Sequence, residues 1–495
     1  MGLPWLASGG GGMNGRQPPS VDFSKFAQLF MGWGKVFSEK RRFFHFHGTR
    51  LPVWSTGYWI AQAKLVGITY TLYHSKFQEV GWKEHVPDDK PILFAISHRN
   101  AFMDSLAFVH IHDSQVWQLA RGDAFKNPLM RKLFYFFHML PIWRERDGVD
   151  TREANEETFN ACYDILALNG MVGIYPEGDC INERHIRPLK KGICRIAFGA
   201  MEKYNWEIDL HIVPVGVSYT DAEKFGKRQL IQFGPAVRVQ TYKEQYQKNS
   251  AAAINTLKDE LQLRMQDQVV HIPRSHNHHD IDQAVVIGAR AFLKEEGSPY
   301  TPIAALRKEQ ELSKKLETIR LNDHEGISHL AKTLHKYVKG RDAFDLRENT
   351  FDQQRQSMGY RVGMLLVLLL TFPVFITGWI TQIIPFRLPQ WIVRKNIKQR
   401  IFFSSLQYAI GLFTFTFFYL LYFILAWVLS GHFWMAAILL LVLPVWGKST
   451  YLWWRAYKRW LSVVRLKIKL RRKDDTAVHM MADREELLRI MRNAS

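Results

Sequence analysis

Apolar residues keep three different rhythms along this chain, and each rhythm predicts a different kind of structure. From residue 91 to about 245, short apolar runs alternate with stretches of helical period. PILFAIS, VWQLA, MLPIW, MVGIYP, LHIVPVGVSY and QLIQFGPAVRV are rich in Ile, Val and aromatics and bounded by Gly, Pro or charge, which predicts strands. NPLMRKLFYFFH, TREANEETFNACYDILALNG and PLKKGICRIAFGAMEKY have helical spacing. Asp150 or Thr151 is placed to cap the second of these and Gly170 to end it. Strands alternating with helices predict an α/β fold over 86–245, a layered mixed sheet, partly parallel and buried on both faces. Catalytic residues are then expected at strand ends.

The flanks read differently. Residues 1–21 form a Gly- and Pro-rich flexible arm without the basic leader and apolar run of a signal peptide, and Leu6 stands where a myristoylation start needs Ser or Thr. Residues 22–85 mix aromatics with bases, which fits interfacial amphipathic helices or, equally, a first helical layer over a core. Residues 246–360 are charged and helix-prone, a helical extension with AAAINTLKDELQLRMQ, PIAALRKEQELSKKLETIR and GISHLAKTLHKYV as its helices. The cluster His276, His278, His279 and Asp280 suggests a metal at first sight, but it lacks further histidine boxes and reads as a solvated loop.

The third rhythm is continuous apolarity, predicting carboxy-terminal membrane-embedded helices over 361–452. The runs Gly363–Phe386 and Leu406–Leu429 are each 24 residues without a charge, long enough for roughly 30 Å of hydrocarbon. A third run of 15 residues, Phe433–Gly447, reaches across only if Lys448 snorkels. Arg387, Arg394, Lys395, Lys398 and Arg400 precede the second run, and a basic tail over 453–495 follows the third; both basic segments should face the cytoplasm. That is met by one spanning hairpin over 406–447 and a re-entrant first segment over 362–385, bent near Pro373, with the α/β domain on the cytoplasmic face of the membrane.

Composition sharpens this picture. Lys and Arg number 66 against 46 Asp and Glu, a formal net charge of +20, which by itself allows a nucleic-acid surface, an anionic membrane or an anionic substrate. The bases cluster around apolar membrane runs rather than in a soluble module, and aromatics make up 14% of the chain, so nucleic acid is the weakest of the three. Cys162, Cys180 and Cys194 are odd in number and lack metal-ligand spacing, which predicts free thiols in a reducing compartment.

Two stretches carry chemistry. In SHRNAFMD, His98 follows a strand and precedes a helix containing Asp104; a carboxylate on one imidazole nitrogen fixes the tautomer and leaves the other nitrogen a stronger base. The plainer reading is a helix-capping histidine with an exposed aspartate. No GxSxG-like elbow supplies a Ser or Cys nucleophile, so direct attack by a substrate hydroxyl is favoured over a covalent enzyme intermediate. In YPEGDCINERHIRPLKKG, the glycine allows close backbone approach. Arg184, Arg187, Lys190 and Lys191 then lead into a helix near Gly192, a pattern suited to phosphate or, alternatively, to lipid headgroups.

The order SHRNAFMD, LPIWRERDG, YPEGDCINERHIRPLKKG, IVPVGVSY resembles the four blocks of the glycerolipid acyltransferase family, which includes glycerol-3-phosphate and 1-acylglycerol-3-phosphate acyltransferases. The likeness covers residues of about 90 to 220. It implies His98 as general base, Asp104 as its orienting carboxylate, and Arg144, with Arg146 competing, on the acceptor phosphate. Glu177 and Gly178 match the third block and Pro214 the fourth, where the acyl donor is expected. Two departures stand out. Five residues rather than four separate His98 from Asp104, as in fungal-type glycerol-3-phosphate acyltransferases and some bacterial relatives. Asp179, Cys180 and Ile181 replace the usual Thr-Arg-Ser, which leaves phosphate to Arg144, Arg184, Arg187 or Lys191.

The resemblance implies a membrane-bound enzyme, without cofactor or metal, that moves an acyl group from acyl-CoA or acyl carrier protein to glycerol 3-phosphate or lysophosphatidic acid in phospholipid biosynthesis. Another lysolipid acceptor, or a non-catalytic lipid- or CoA-binding membrane protein, are the alternatives. Retention of His98, Asp104, Glu177 and Gly178 together argues against a decayed site. The topology has its own test. Single cysteines at Gln390 and Ser430 should label from the cytoplasmic and the opposite side respectively, and a Gln390 label on the far side overturns the hairpin.

Overall fold

The computed structural model describes residues 42–110, 115–144, 147–148, 150–351 and 357–493; the 1–21 arm and residues 22–41 of the expected interfacial segment lie outside them. Where helices were expected, strands β1 (Phe43–Phe46) and β2 (Thr49–Pro52) form an antiparallel hairpin. Its two turn residues, His47 and Gly48, both take positive φ (45° and 68°), the backbone a two-residue hairpin requires. Helix α1 (Thr56–Ile60), capped by the Ser55 side chain, runs through a π-helical stretch into α2 (Gly67–Tyr73). Tyr58, Trp59, Tyr70 and Tyr73 are buried there while Ile60 and Ile68 stay exposed, so this segment forms a helical layer on the core.

The main sheet contains β3 (Lys76–Val80), β4 (Ile92–Ile96), β5 (Val116–Arg121), β6 (Met139–Ile142), β7 (Met171–Ile174), β8 (His211–Tyr219), β9 (Arg228–Phe233) and the short β10 (Val237–Arg238). Their order is β3-β9-β8-β4-β7-β5-β6, with β10 on β8. The pairs from β8 through β4, β7, β5 to β6 are parallel and β8–β9 is antiparallel, which makes the sheet mixed as expected. Every residue of β4 is buried, the mark of a central parallel strand covered on both faces. Between the strands lie α3 (Ala101–His110), α4 (Pro128–Phe136), α5 (Thr151–Ala167) and α6 (Gly192–Lys203).

One face of the sheet packs Leu93, Val172 and Ile212 against Cys162 and Ile165 of α5, Ile193 and Phe198 of α6, and Leu257 of α7 (Ser250–Gln266). The other packs Ile92, Phe94 and Val215 against Tyr70, Met103 and Phe108. The domain therefore does not stop at 245; α7 completes one of its two cores, its charged face having hidden the apolar one. A second helical core follows, built from α8 (His278–Glu295), α9 (Pro302–Asn322) and α10 (His324–Ala343). The expected loop at His278, His279 and Asp280 is the first turn of α8, because Ile281, Ala284, Val285 and Gly288 give that segment a buried helical face.

Helices α11 (Met358–Leu370) and α12 (Phe372–Asn396) meet at a 57° bend beside Pro373. Helices α13 (Phe403–Ser430) and α14 (Phe433–Arg471) turn at Gly431, whose φ of 70° gives a left-handed cap. Two helical stretches, Arg400–Ser430 and Phe433–Arg471, are long and apolar enough to cross a membrane, and the bent pair forms a third if it counts as one span. Lys448 does not snorkel: its amine donates to the carbonyl oxygens of Leu72 (2.6 Å) and His74 (2.9 Å) and docks α14 on the end of α2. The basic tail is no loose extension either. It continues α14 and then folds back as α15 (Asp475–Asn493), whose Met480, Leu487, Leu488 and Met491 enter the second helical core; charge masked that apolar stripe in the sequence.

A buried imidazole gives the fold a pH dependence. His138 is sandwiched between Trp117 (4.3 Å, interplanar 7°) and Tyr58 (4.2 Å), with no hydrogen-bond partner for either ring nitrogen, and burial pushes it down to about 3. The folded state keeps it neutral, so its contribution is complete above about pH 6.5 and is lost as pH falls towards 3, by up to about 1.4 kcal/mol per pH unit. Unfolding of the solubilised protein at pH 7.5 and 5.0 should show this loss, and His138→Phe should reduce it; an unchanged difference between the two pH values refutes the assignment.

Candidate active site

His98 lies just beyond the carboxyl end of β4, in the turn that leads into α3. Its Nδ1 is 3.0 Å from Asp104 Oδ2. The same oxygen accepts the backbone N–H groups of Arg99 (2.8 Å) and Asn100 (2.7 Å), while Oδ1 accepts the Tyr219 hydroxyl (2.7 Å). Asn100 immediately precedes α3, so Asp104 reaches back over the helix start to the amides before it, and the fifth intervening residue is absorbed in that turn. Tyr219 in turn accepts from Gln229 (2.8 Å), whose carbonyl accepts from Tyr70 (2.5 Å). Asp104, Gln229 and Tyr70 are fully buried. Burial and Asp104 hold the Tyr219 phenol well above its ordinary range, so it remains a donor.

The third sequence block closes on the first. Glu177 Oε1 accepts the His98 backbone N–H (2.9 Å), and Oε2 accepts Arg187 Nε (3.1 Å). Gly178 has a φ of 71°, and a Cβ there would also press on the Lys190 side chain at 3.2 Å, which accounts for glycine at this position. The Tyr175 ring covers the imidazole at 4.3 Å. Cys180 supplies its Sγ to the Ala101 N–H at 3.1 Å; burial, and next to it Asp104, push this thiol far up, so it stays protonated. Its Sγ groups with ligand atoms of His98 and Asp104 within 4.8 Å, where Asp104 Oδ2 already accepts from three donors and Oδ1 from the Tyr219 hydroxyl.

A cavity of about 1880 Å³ opens over these residues. His98, Glu177, Gly178, Arg144 and Lys191 line it, as do Lys190, Arg195, Arg121 and, from just before α13, Ile401 and Phe402. Of the expected anion-binding groups, Lys191 has no ion pair among the described residues, whereas Arg144 is clasped by Asp147 (3.0 Å) and holds that carboxyl below its usual range. Arg187 is spent on Glu177 and the Asp179 carbonyl. Arg184 turns away altogether, buried between Asp282 (3.1 Å) of α8 and Glu309 (2.8 Å) of α9. Pro214 is inside β8 opposite Ala95 and does not line the cavity. Arg146 lies outside the described residues.

Sequence reasoning missed Arg195, Tyr219, Gln229 and Asn100. Arg195 was accessible to it: Lys191 and Arg195 stand four apart, one helical turn, at the start of α6. Neither Lys190, Lys191 nor Arg195 has an ion-pair partner among the described residues, and a Cβ at Gly192 would meet nothing within 4 Å. No side chain caps this helix, so its first amides add to an anion-attracting wall.

Residues 78–218 match the Acyltransferase family model, and this segment contains the His98–Asp104 pair and the strand that leads into it. More particularly, the chain is 26% identical over 227 residues, 45% of its length, to Glycerol-3-phosphate O-acyltransferase 2 of Saccharomyces cerevisiae, and covers 29% of that protein. It is 32% identical over 81 residues, 16% of its length, to Glycerol-3-phosphate O-acyltransferase 1 of the same yeast, covering 10% of it. The chain thus spans less than a third of the length of these curated relatives. Among solved structures it is similar to the 1-acyl-sn-glycerophosphate (LPA) acyltransferase PlsC of Thermotoga maritima, at 15% identity and a TM-score of 0.27, over 42% of this chain and 79% of that one.

The two fates of the cations are separable by stability. Arg184→Met strands two carboxylates in a largely dry interface and should cost about 3–5 kcal/mol in chemical unfolding. Arg195→Met, on the cavity wall, should change stability by less than about 0.5 kcal/mol. Equal effects of the two substitutions would contradict the division.

Proposed function

We propose that this protein transfers a fatty acyl group from an acyl thioester, acyl-CoA or acyl carrier protein, to a hydroxyl of glycerol 3-phosphate or lysophosphatidic acid at a membrane surface. The observation that carries the reading is the His98–Asp104 pair at 3.0 Å, facing a cavity whose wall holds Lys190, Lys191 and Arg195, unpaired among the described residues. Nδ1–H of His98 donates to Asp104, which leaves Nε2 as the base. The acceptor hydroxyl gives its proton to Nε2 while its oxygen attacks the thioester carbonyl. Collapse of the tetrahedral intermediate breaks the C–S bond, and the imidazolium returns the proton to the leaving sulfur. Asp104 keeps its negative charge throughout, stabilising the imidazolium as a carboxylate held by four donors can.

Cys180 sits close enough to invite a covalent acyl-enzyme, but its protonated thiol favours the single displacement. The unpaired cations suit a phosphate monoester, and the names of the two yeast relatives favour glycerol 3-phosphate over lysophosphatidic acid as acceptor. Ile401 and Phe402 put apolar surface at the cavity beside the start of α13, where an acyl chain from the bilayer can enter. The α/β domain is assigned to the cytoplasmic face on the basic segments that flank the hairpin.

The test is purified full-length protein with labelled acyl-CoA and a panel of glycerol 3-phosphate, lysophosphatidic acid and other lysolipids, read by product mass. The wild type should acylate a phosphate-bearing acceptor. His98→Ala should lose at least about 10²-fold in kcat while staying membrane-bound, and Arg195→Ala should raise KM for the acceptor more than it lowers kcat. Wild-type turnover by His98→Ala sinks the mechanism; transfer to no acceptor favours a protein that only binds lipid or CoA.

A further inference from the structure

The buried residues of helix α13, Ser404, Ser405 and Tyr408, all lie in its first two turns. The two serines meet the turn that carries His98. The Asn100 side chain donates to the Ser404 Oγ (2.9 Å) and to the Ala222 carbonyl (2.6 Å), and its own carbonyl lies 3.1 Å from Ser404 Oγ and 3.3 Å from Ser405 Oγ, both hydroxyls donating. The backbone N–H of this same asparagine is one of the four donors on Asp104. A second route starts from Tyr408, whose hydroxyl meets Thr69 at 2.6 Å and whose ring packs on Tyr70 and Tyr73. Tyr70 heads the chain through Gln229 and Tyr219 to the other oxygen of Asp104. One oxygen of the orienting carboxylate is thus tied through Asn100 to Ser404 and Ser405, and the other through Tyr219, Gln229 and Tyr70 to Tyr408.

We propose that Ser404 and Ser405 are positioning residues: by clamping Asn100 they fix the amide that holds Asp104, and so the aim of His98, making full activity depend on the seating of the membrane hairpin. This rests on the reading of His98 and Asp104 as base and orienting carboxylate. Neither serine lines the cavity, so their effect should fall on turnover rather than on acceptor binding. A misaimed dyad costs rate steeply, since sub-ångström placement of the base decides its efficiency.

The experiment uses the full chain in nanodiscs with acyl-CoA and the acceptor that the wild type accepts. S404A/S405A should lower kcat about 10-fold with KM for the acceptor within about 2-fold of wild type. Phe417→Ala, on the exposed part of the same helix, should leave both kcat and KM unchanged. An unaltered kcat in the double variant overturns the proposal, as does a raised KM with kcat intact. Should the double variant fail to fold, Ser405→Ala alone must lower kcat about 3-fold with KM within about 2-fold of wild type, and its failure to do so overturns it equally. Absence of any acyl transfer by the wild type would instead strike the catalytic reading itself.

Discussion

The negative charge of Asp104 is the constraint around which the α/β domain is arranged. A fully buried carboxylate is tolerated only when donors meet it, and here three come from one turn and the fourth from more than a hundred residues away. Two are amides of the β4–α3 turn, one is the imidazole of the same turn, and one is a phenol at the end of β8. Each fixes an element: the turn cannot open without baring the charge, and β8 cannot slip in register without withdrawing Tyr219. The geometry of the His98–Asp104 pair and the local stability of the sheet centre are thus the same set of hydrogen bonds.

The charges that follow Glu177 show how burial divides a basic run into structural and available cations. Arg184 and Arg187 have carboxylate partners and little exposure, and they lock the loop after β7 to the helical core and to the dyad. Lys190, Lys191 and Arg195 have no partners among the described residues and face the cavity. A chain that carries 66 basic residues can bury some of them, provided acids such as Glu309 and Asp282 are placed to receive them.

The strands of the sheet could be read from the amino-acid sequence because parallel central strands are short, apolar and bounded by turn residues; β4, β6, β7 and β8 fall within the runs so identified, and β5 and β9 overrun theirs by one residue each, Arg121 and Arg228. The hairpin at 43–52 could not, since its alternation is confined to four residues a side and is swamped by aromatic and basic neighbours. The His98–Asp104 pairing was legible because both partners lie within one turn and one helical start. Arg184 was misread because the partners that neutralise it are about a hundred residues downstream, and no local pattern announces them. Tyr219 and Gln229 were hidden for the same reason: a supporting network threads through side chains that each look like ordinary core.

The bond between Asn100 and Ser404 also sets a distance. Ser404 stands two residues before Leu406, where the uncharged run of α13 begins, and a helix rises about 1.5 Å per residue. With α13 crossing the bilayer, as the proposed function has it, the turn that carries His98 would be held at one altitude near the edge of the hydrocarbon, free neither to lift off towards the aqueous phase nor to sink among the acyl tails. The anchoring helix would then work as a depth gauge, sorting acceptors by where their hydroxyl rides in the membrane before any pocket had judged their shape.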